Sequence, residues 1–285
     1  SVTDMFLMFY QATNFNQPLK DWNVASVNDI EYMFGRATNF NQPLNDWNAA
    51  GVNYMSGMFK SATNFNQPLD DWNVASVTTM NEMFRDATKF NQPLDDWNVS
   101  YVSGMRLMFD LASNFNQPLN DWNVESVLDM YAMFRDATTF NQALNDWNVS
   151  RVNNMANMFR GATNFNQPLD DWNVASVNYM YAMFKKASDF NQCLSSWADK
   201  TPPDVSVVNL FEDSGCPNNA DPDPSVSPWC QGDAEQCYAP SNAPSAPPTS
   251  APSAPPTSAP SASPTSAPST PPTKKQKKTS KKSKK

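Results

Sequence analysis

Tryptophan returns every 25 residues in this chain. Trp22, Trp47, Trp72, Trp97, Trp122, Trp147, Trp172 and Trp197 keep that period without one insertion or deletion. Around each lies nearly the same string, as in Ala62-Thr63-Asn64-Phe65-Asn66-Gln67-Pro68-Leu69-Asp70-Asp71-Trp72-Asn73-Val74. A fixed period of this length means one supersecondary unit stacked on copies of itself, because a single unit buries too little to stand alone.

Each unit divides in two. In the second, Val27, Ile30, Met33-Phe34 and Ala37 step by three and four, which predicts one face of a short helix or 3₁₀ segment. A turn rich in side-chain amides follows, and Pro43 ends helical pairing. The stretch from Leu44 through Trp47 to Ala49 has partial period-two character. It predicts a short strand in a parallel ladder, with neighbours about 4.8 Å apart.

The run Val77-x-x-Met80-x-x-Met83-Phe84-x-x-Ala87-Thr88-x-Phe90-Asn91-Gln92-Pro93-Leu94-x-x-Trp97-Asn98-Val99 resembles the BspA-like leucine-rich repeat surface proteins. It is similar in particular to their bacterial lipoprotein-type repeat. The resemblance covers Val2 to Trp197 and implies a curved solenoid at the cell surface, used in adhesion or recognition. The expected fold class is therefore an α/β repeat solenoid, leucine-rich-repeat-like, of about eight 25-residue coils. Each coil would carry a short parallel strand and a short helix or 3₁₀ segment, and a disordered tail would follow. Expected boundaries are 1–199 for the solenoid, 200–238 for an irregular cap with cysteines, 239–273 for a Pro/Ser/Thr/Ala-rich stalk and 274–285 for a Lys-rich arm. The chain opens inside a unit, since Ser1-Val2 aligns with Ser26-Val27, so an N-terminally truncated solenoid is expected.

Several columns repeat once per coil. Asn41, Asn66, Asn91, Asn116, Asn141 and Asn166, beside an equally regular glutamine column, read as an amide ladder bonding coil to coil. The tryptophans read as core. Asp21, Asp46, Asp71, Asp96, Asp121, Asp146 and Asp171 form an acidic column, doubled at Asp70, Asp95 and Asp170. Solvated or backbone-capped acids are one reading. A divalent-cation site at Asp70, Asp71, Asp95 and Asp96 is the sharper one, and oxygen-only ligands would suit Ca²⁺. Two columns vary freely: Asp29, Tyr54, Thr79, Gly104, Asp129, Asn154 and Tyr179, then Tyr32, Gly57, Glu82, Leu107, Ala132, Asn157 and Ala182. Asn98 and Asn148 begin N-glycosylation sequons.

All four cysteines lie at or after the end of the repeats, at Cys193, Cys216, Cys230 and Cys237. Four cysteines allow three pairings, and Cys193–Cys216 with Cys230–Cys237 is the preferred one, implying an oxidising compartment. With no histidine and no Cys-x-x-Cys, zinc is not indicated. Ala239 to Thr273 cannot build a core and reads as an extended stalk. Net charge is −8, yet eight of the 20 basic residues lie within Lys274–Lys285, leaving 12 basic against 28 acidic residues in the remainder, or −16. An acidic body argues against specific nucleic-acid binding. The arm suits an anionic polymer, a mineral or a membrane surface, or a targeting or solubilising role. Neither a catalytic pair nor a phosphate loop is evident, so no enzyme and no cofactor are expected. The expected function is an extracellular or cell-surface binding module that presents its solenoid to a protein or glycan. A structural wall or biomineral spacer anchored by the Lys-rich arm is the alternative.

Overall fold

The computed structural model describes residues 2–226 and 228–231, which belong to one compact unit, Ser1–Ala239. The chain is a repeat solenoid. Coils are numbered here from residues 1–24 (coil 1), 25–49 (coil 2) and so on by 25. The expected stalk and arm lie outside the described residues.

Coils meet through a parallel ladder, but not where the sequence pattern predicts it. Single bridges join Asp4, Asp29, Tyr54, Thr79, Gly104, Asp129, Asn154, Tyr179 and Ser206 in succession. These lie in the half expected to be helical, while the Leu44–Ala49 stretch forms turns. Among the described residues the one helix is α1, Trp197–Lys200. The three-and-four spacing of apolar residues arises instead from chained turns. Met33, Gly35 and Ala37 donate backbone N–H groups three residues back, to Ile30, Tyr32 and Phe34. The alternate amides of Ile30, Tyr32, Phe34 and Arg36 donate to Tyr54, Ser56, Met58 and Lys60 of the next coil, at 2.6–3.1 Å. Each coil is thus a staircase whose steps bond alternately within and between coils. The remaining amide, that of Glu31, donates to Asp29 Oδ1 at 2.8 Å, so the run from Ile30 to Ala37 is satisfied without a strand or helix.

That staircase needs left-handed backbone at two places per coil. Tyr32 (φ +53°) and Arg36 (φ +60°) represent columns that stay positive from Leu7 and Gln11 to Asn209 and Asp213. Only Gly57 and Gly161 meet the requirement with glycine. Elsewhere an ordinary side chain takes a strain of roughly 1 kcal/mol, offset by the bonds the geometry permits.

Core rings report how the stack opens. Neighbouring copies lie nearly parallel, so their centroid separation is the repeat translation at that depth. It is 5.6–5.8 Å from Phe34 to Phe211, 5.9–6.1 Å in the Phe40 column and 6.4–6.5 Å between tryptophans. Ladder backbones themselves sit about 4.8 Å apart. The coils therefore fan out from the ladder, which lies on the concave side.

As the gap widens, the connecting group lengthens. At the ladder, carbonyls suffice. At the amide turn, Asn Oδ1 accepts the backbone N–H of the next coil's asparagine: Asn66 to Asn41, Asn91 to Asn66, Asn116 to Asn91, each 2.9 Å. The same oxygen takes the following glutamine's Nε2, as from Gln92 at 3.0 Å. At the widest edge an indole reaches across, Trp97 Nε1 donating to the Leu69 carbonyl at 2.9 Å, with equivalents from Trp47 to Trp197 at 2.8–3.0 Å. Trp22, in coil 1, is 38% exposed, unlike the buried remainder of its column.

The ninth coil carries a two-residue offset: Tyr179 bridges Ser206 and Phe184 stacks on Phe211 at 5.7 Å. Val208 is consequently exposed, and Leu210 fills the core. Trp229 bridges Leu194 antiparallel and sets its ring edge-on to Trp197 at 6.2 Å. Gln231 Nε2 reaches Asn191 Oδ1 at 2.8 Å, ending the amide ladder with a glutamine from outside the repeat. The expected cysteine pairing is not the one found. Cys216 bonds Cys230, with Cα atoms 4.9 Å apart, because the return of Trp229 onto coil 8 carries Cys230 to the end of coil 9. Neither Cys193–Cys216 nor Cys230–Cys237 can then form. Cys193 is disulfide-bonded as well, and Cys237 lies outside the described residues.

Two substitutions separate the ring from its hydrogen bond. Trp97→Ala should destabilise by about 3–5 kcal/mol. Trp97→Phe, which keeps an aromatic ring but orphans the buried Leu69 carbonyl, should cost about 2 kcal/mol. Denaturant unfolding of both variants checks the order.

Candidate binding face on the turn ladder

The outward positions of the staircase form the concave face. They are the columns of Asp29, Glu31, Tyr32, Gly35 and Arg36. Two of these were the variable columns of the sequence. Those of Glu31, Gly35 and Arg36 were missed there, although they vary equally when read down the 25-residue period: Glu31, Ser56, Asn81, Arg106, Tyr131, Ala156 and Tyr181 occupy one.

A groove of 430 Å³ opens on this face across coils 2 to 5, lined by Glu31, Tyr32, Ser56, Asn81, Glu82, Arg106 and Leu107. Small residues create it. A Cβ on Gly57 would collide with the Tyr32 ring, so glycine here lets that ring lie down onto the next coil. Floor and walls are tied together. Ser56 Oγ lies 3.1 Å from Thr79 Oγ1, and Asn81 donates from Nδ2 to Thr79 Oγ1 at 3.0 Å. Asn81 Oδ1 accepts the Arg106 backbone N–H at 2.9 Å. Tyr32 donates its hydroxyl to Glu82 Oε1 at 3.2 Å, and Lys60 lies over the Tyr32 ring at 5.6 Å. Arg106 pairs with Asp129 at 3.3 Å and covers the Tyr131 ring at 5.1 Å. The result is a preorganised polar recess with an acid on one wall, a guanidinium on the other and an aromatic ring between.

An ion network backs the groove. Glu82 bonds both Lys60 and, at 2.8 Å, Arg85. Arg85 turns also to Asp110 at 3.0 Å. Asp110 is fully buried and takes a two-pronged bond from Arg135, both contacts 2.7 Å. Burial pushes the Glu82 carboxyl up, but hydrogen bonds and charge from Lys60 and Arg85 outweigh it and hold the group below the usual glutamate range. At Asp110 burial wins over Arg135 and Arg85, and the carboxyl is raised. Burial, then Glu82, pushes the Tyr32 phenol up to about 12. Four members of this network share one column, Lys60, Arg85, Asp110 and Arg135, and the signal that could have found it is the acid set between bases one coil apart.

The residues singled out from sequence lie elsewhere. Asp70, Asp71, Asp95 and Asp96 sit on exposed turns at the tryptophan edge, not on adjacent strands. There Asn45 Nδ2 donates to Asp71 Oδ2 at 2.6 Å, and Asn120 bonds Asp146 in the same way. Asn45 and Asn120 thus each hold the acid of the next coil, whereas Asn145 donates to Asp146 of its own coil at 3.3 Å. Among the described residues no three acidic, histidine or cysteine side chains gather to hold a metal. Asn98 and Asn148 are exposed, and each accepts from the backbone N–H two residues on, Ser100 and Ser150, at 3.2 Å.

Acid tests the network. Because the folded Glu82 carboxyl is depressed, its stabilisation is full above the ordinary glutamate pKa of about 4.3 and is lost as pH falls through the folded value. The stability difference between the parent and Glu82→Gln should therefore shrink as denaturation midpoints are measured from pH 7 down to below pH 4.

One family model, described as Mycoplasma protein of unknown function, DUF285, matches residues 1–78, 50–143 and 118–219. No curated protein and no solved structure matches the chain. Its three overlapping matches span the repeats from the first coil into the ninth, and the chain belongs to the DUF285 family.

Proposed function

We propose that this protein is a non-catalytic, BspA-like binding module, secreted or held at a cell surface, whose concave face recognises a glycan through the groove of coils 2 to 5. The observation that carries the reading is that groove. Its walls are outward columns that vary from coil to coil, while the columns that build core and ladders scarcely change. A fixed scaffold with a variable, preorganised recess is how solenoids present recognition surfaces. Glu31, Asn81 and Arg106 offer acceptors and donors for hydroxyl groups, and Tyr32 offers a ring beside them. An oxidising compartment is supported by the Cys216–Cys230 bond and the disulfide at Cys193.

A glycan array probed with the full chain tests this. Saturable binding to a defined glycan is expected, and the affinity should fall at least roughly tenfold in Glu31→Ala and in Arg106→Ala, with melting unchanged. Absence of any saturable ligand, or binding indifferent to both substitutions, would favour a structural spacer instead.

A further inference from the structure

Away from the groove, the column of Gly35 becomes basic: Lys60, Arg85, Arg135, Arg160 and Lys185, interrupted by Asp110 and ended by Glu212. The interruptions account for most of these charges. Asp110 is shared by Arg85 and Arg135, and Glu82 by Lys60 and Arg85. Lys185 meets Glu212 at 2.5 Å. Arg160, between Arg135 and Lys185, has no carboxylate within ion-pair distance among the described residues. Its coil is also the lowest on this face. Ala156 and Asn157 are buried, and Gly161 (φ +69°) has no side chain. Tyr131 and Tyr181 stand on the coils to either side of Ala156. Lys186 is exposed on the next coil. One acid faces the recess, Asp136, which leans over Gly161 with its carboxylate nearly half exposed.

We propose that Arg160, with Lys186 beside it, binds a sulfate or carboxylate group of an acidic polysaccharide. A half-buried guanidinium without a counterion, flanked by two further cations, is an incomplete ion network, and an external anion completes it. Tyr131 and Tyr181 supply ring surface for the sugar that carries the group. A sparsely charged carbohydrate fits better than a nucleic acid. The remainder of the body is strongly acidic, and a strand with a charge every few ångströms would be laid against Asp136 and Asp129. This site meets the groove of coils 2 to 5 only at Tyr131, whose ring Arg106 covers; Glu31, on coil 2 of the groove, is not shared with it.

The test uses the full chain with the eight lysines of residues 274–285 replaced by glutamine, so that the arm contributes no affinity. Titration with hyaluronan, which carries one carboxylate per disaccharide, and with a lightly sulfated dextran at low ionic strength should show saturable binding to at least one, and none to neutral dextran. Arg160→Gln combined with Lys186→Gln should weaken it at least roughly tenfold without shifting the melt, whereas Glu31→Ala in the groove should leave it unchanged. Failure of both polymers to bind, or equal binding by the double variant, would overturn the proposal. So would a single-stranded oligonucleotide that binds as tightly and depends on the same two residues.

Discussion

Everything in this solenoid depends on how a gap that widens across each coil is bridged. Backbone bonds hold the ladder near 4.8 Å, yet the tryptophan rings behind it repeat at 6.4–6.5 Å. Direct amide–carbonyl bonds cannot span that difference. The repeat answers with progressively longer connectors: a carbonyl, then an asparagine side chain, then an indole. Each connector is invariant because its length fits one depth in the fan, so the constancy of the Asn-Gln and Trp columns has a geometric cause. Burial of parallel phenylalanine stacks within the fan supplies the main cohesive term.

The same economy frees the concave face. Every ladder bond is made by backbone, so the outward side chains of the staircase add bonds between coils at some positions, as Asn81 does to the Arg106 amide, without being required at each one. They can vary, and they do, including at positions with left-handed φ such as Tyr32, Glu82 and Leu107. That freedom lets one stretch carry the polar groove and another the unpaired Arg160. The scaffold places these groups rigidly, since each sits between two bonded neighbours.

Periodicity alone announced the solenoid, because a strict 25-residue repeat has few other solutions. The amide and indole columns were legible for the same reason: an invariant polar residue in a stacked repeat needs a partner one coil away. Secondary structure was not legible. Val27, Ile30, Met33-Phe34 and Ala37 match a helical face, but two chained turns also bring residues inward at steps of three and four. The distinguishing signal lay in the left-handed columns, where Gly57, Asp86, Asp136, Asn157 and Gly161 are the residue types that tolerate positive φ. Asp70 and its neighbours drew attention as charges, whereas their surroundings are solvent and a preceding asparagine. The groove was hidden because its seven residues come from four coils and meet only after stacking.

Hydrogen exchange in a single variant tests the bridging account most directly. The backbone N–H of Asn116 lies outside any helix or strand, and its acceptor is the Asn91 side chain at 2.9 Å. In the parent it should exchange as slowly as the ladder amides. In Asn91→Ala that amide should lose its protection and exchange much faster, while the amide of Asn166, two rungs beyond Asn116, stays protected. An Asn116 amide that exchanges rapidly in the parent, or one equally protected in Asn91→Ala, would contradict the claim that side chains close the gap the backbone leaves open.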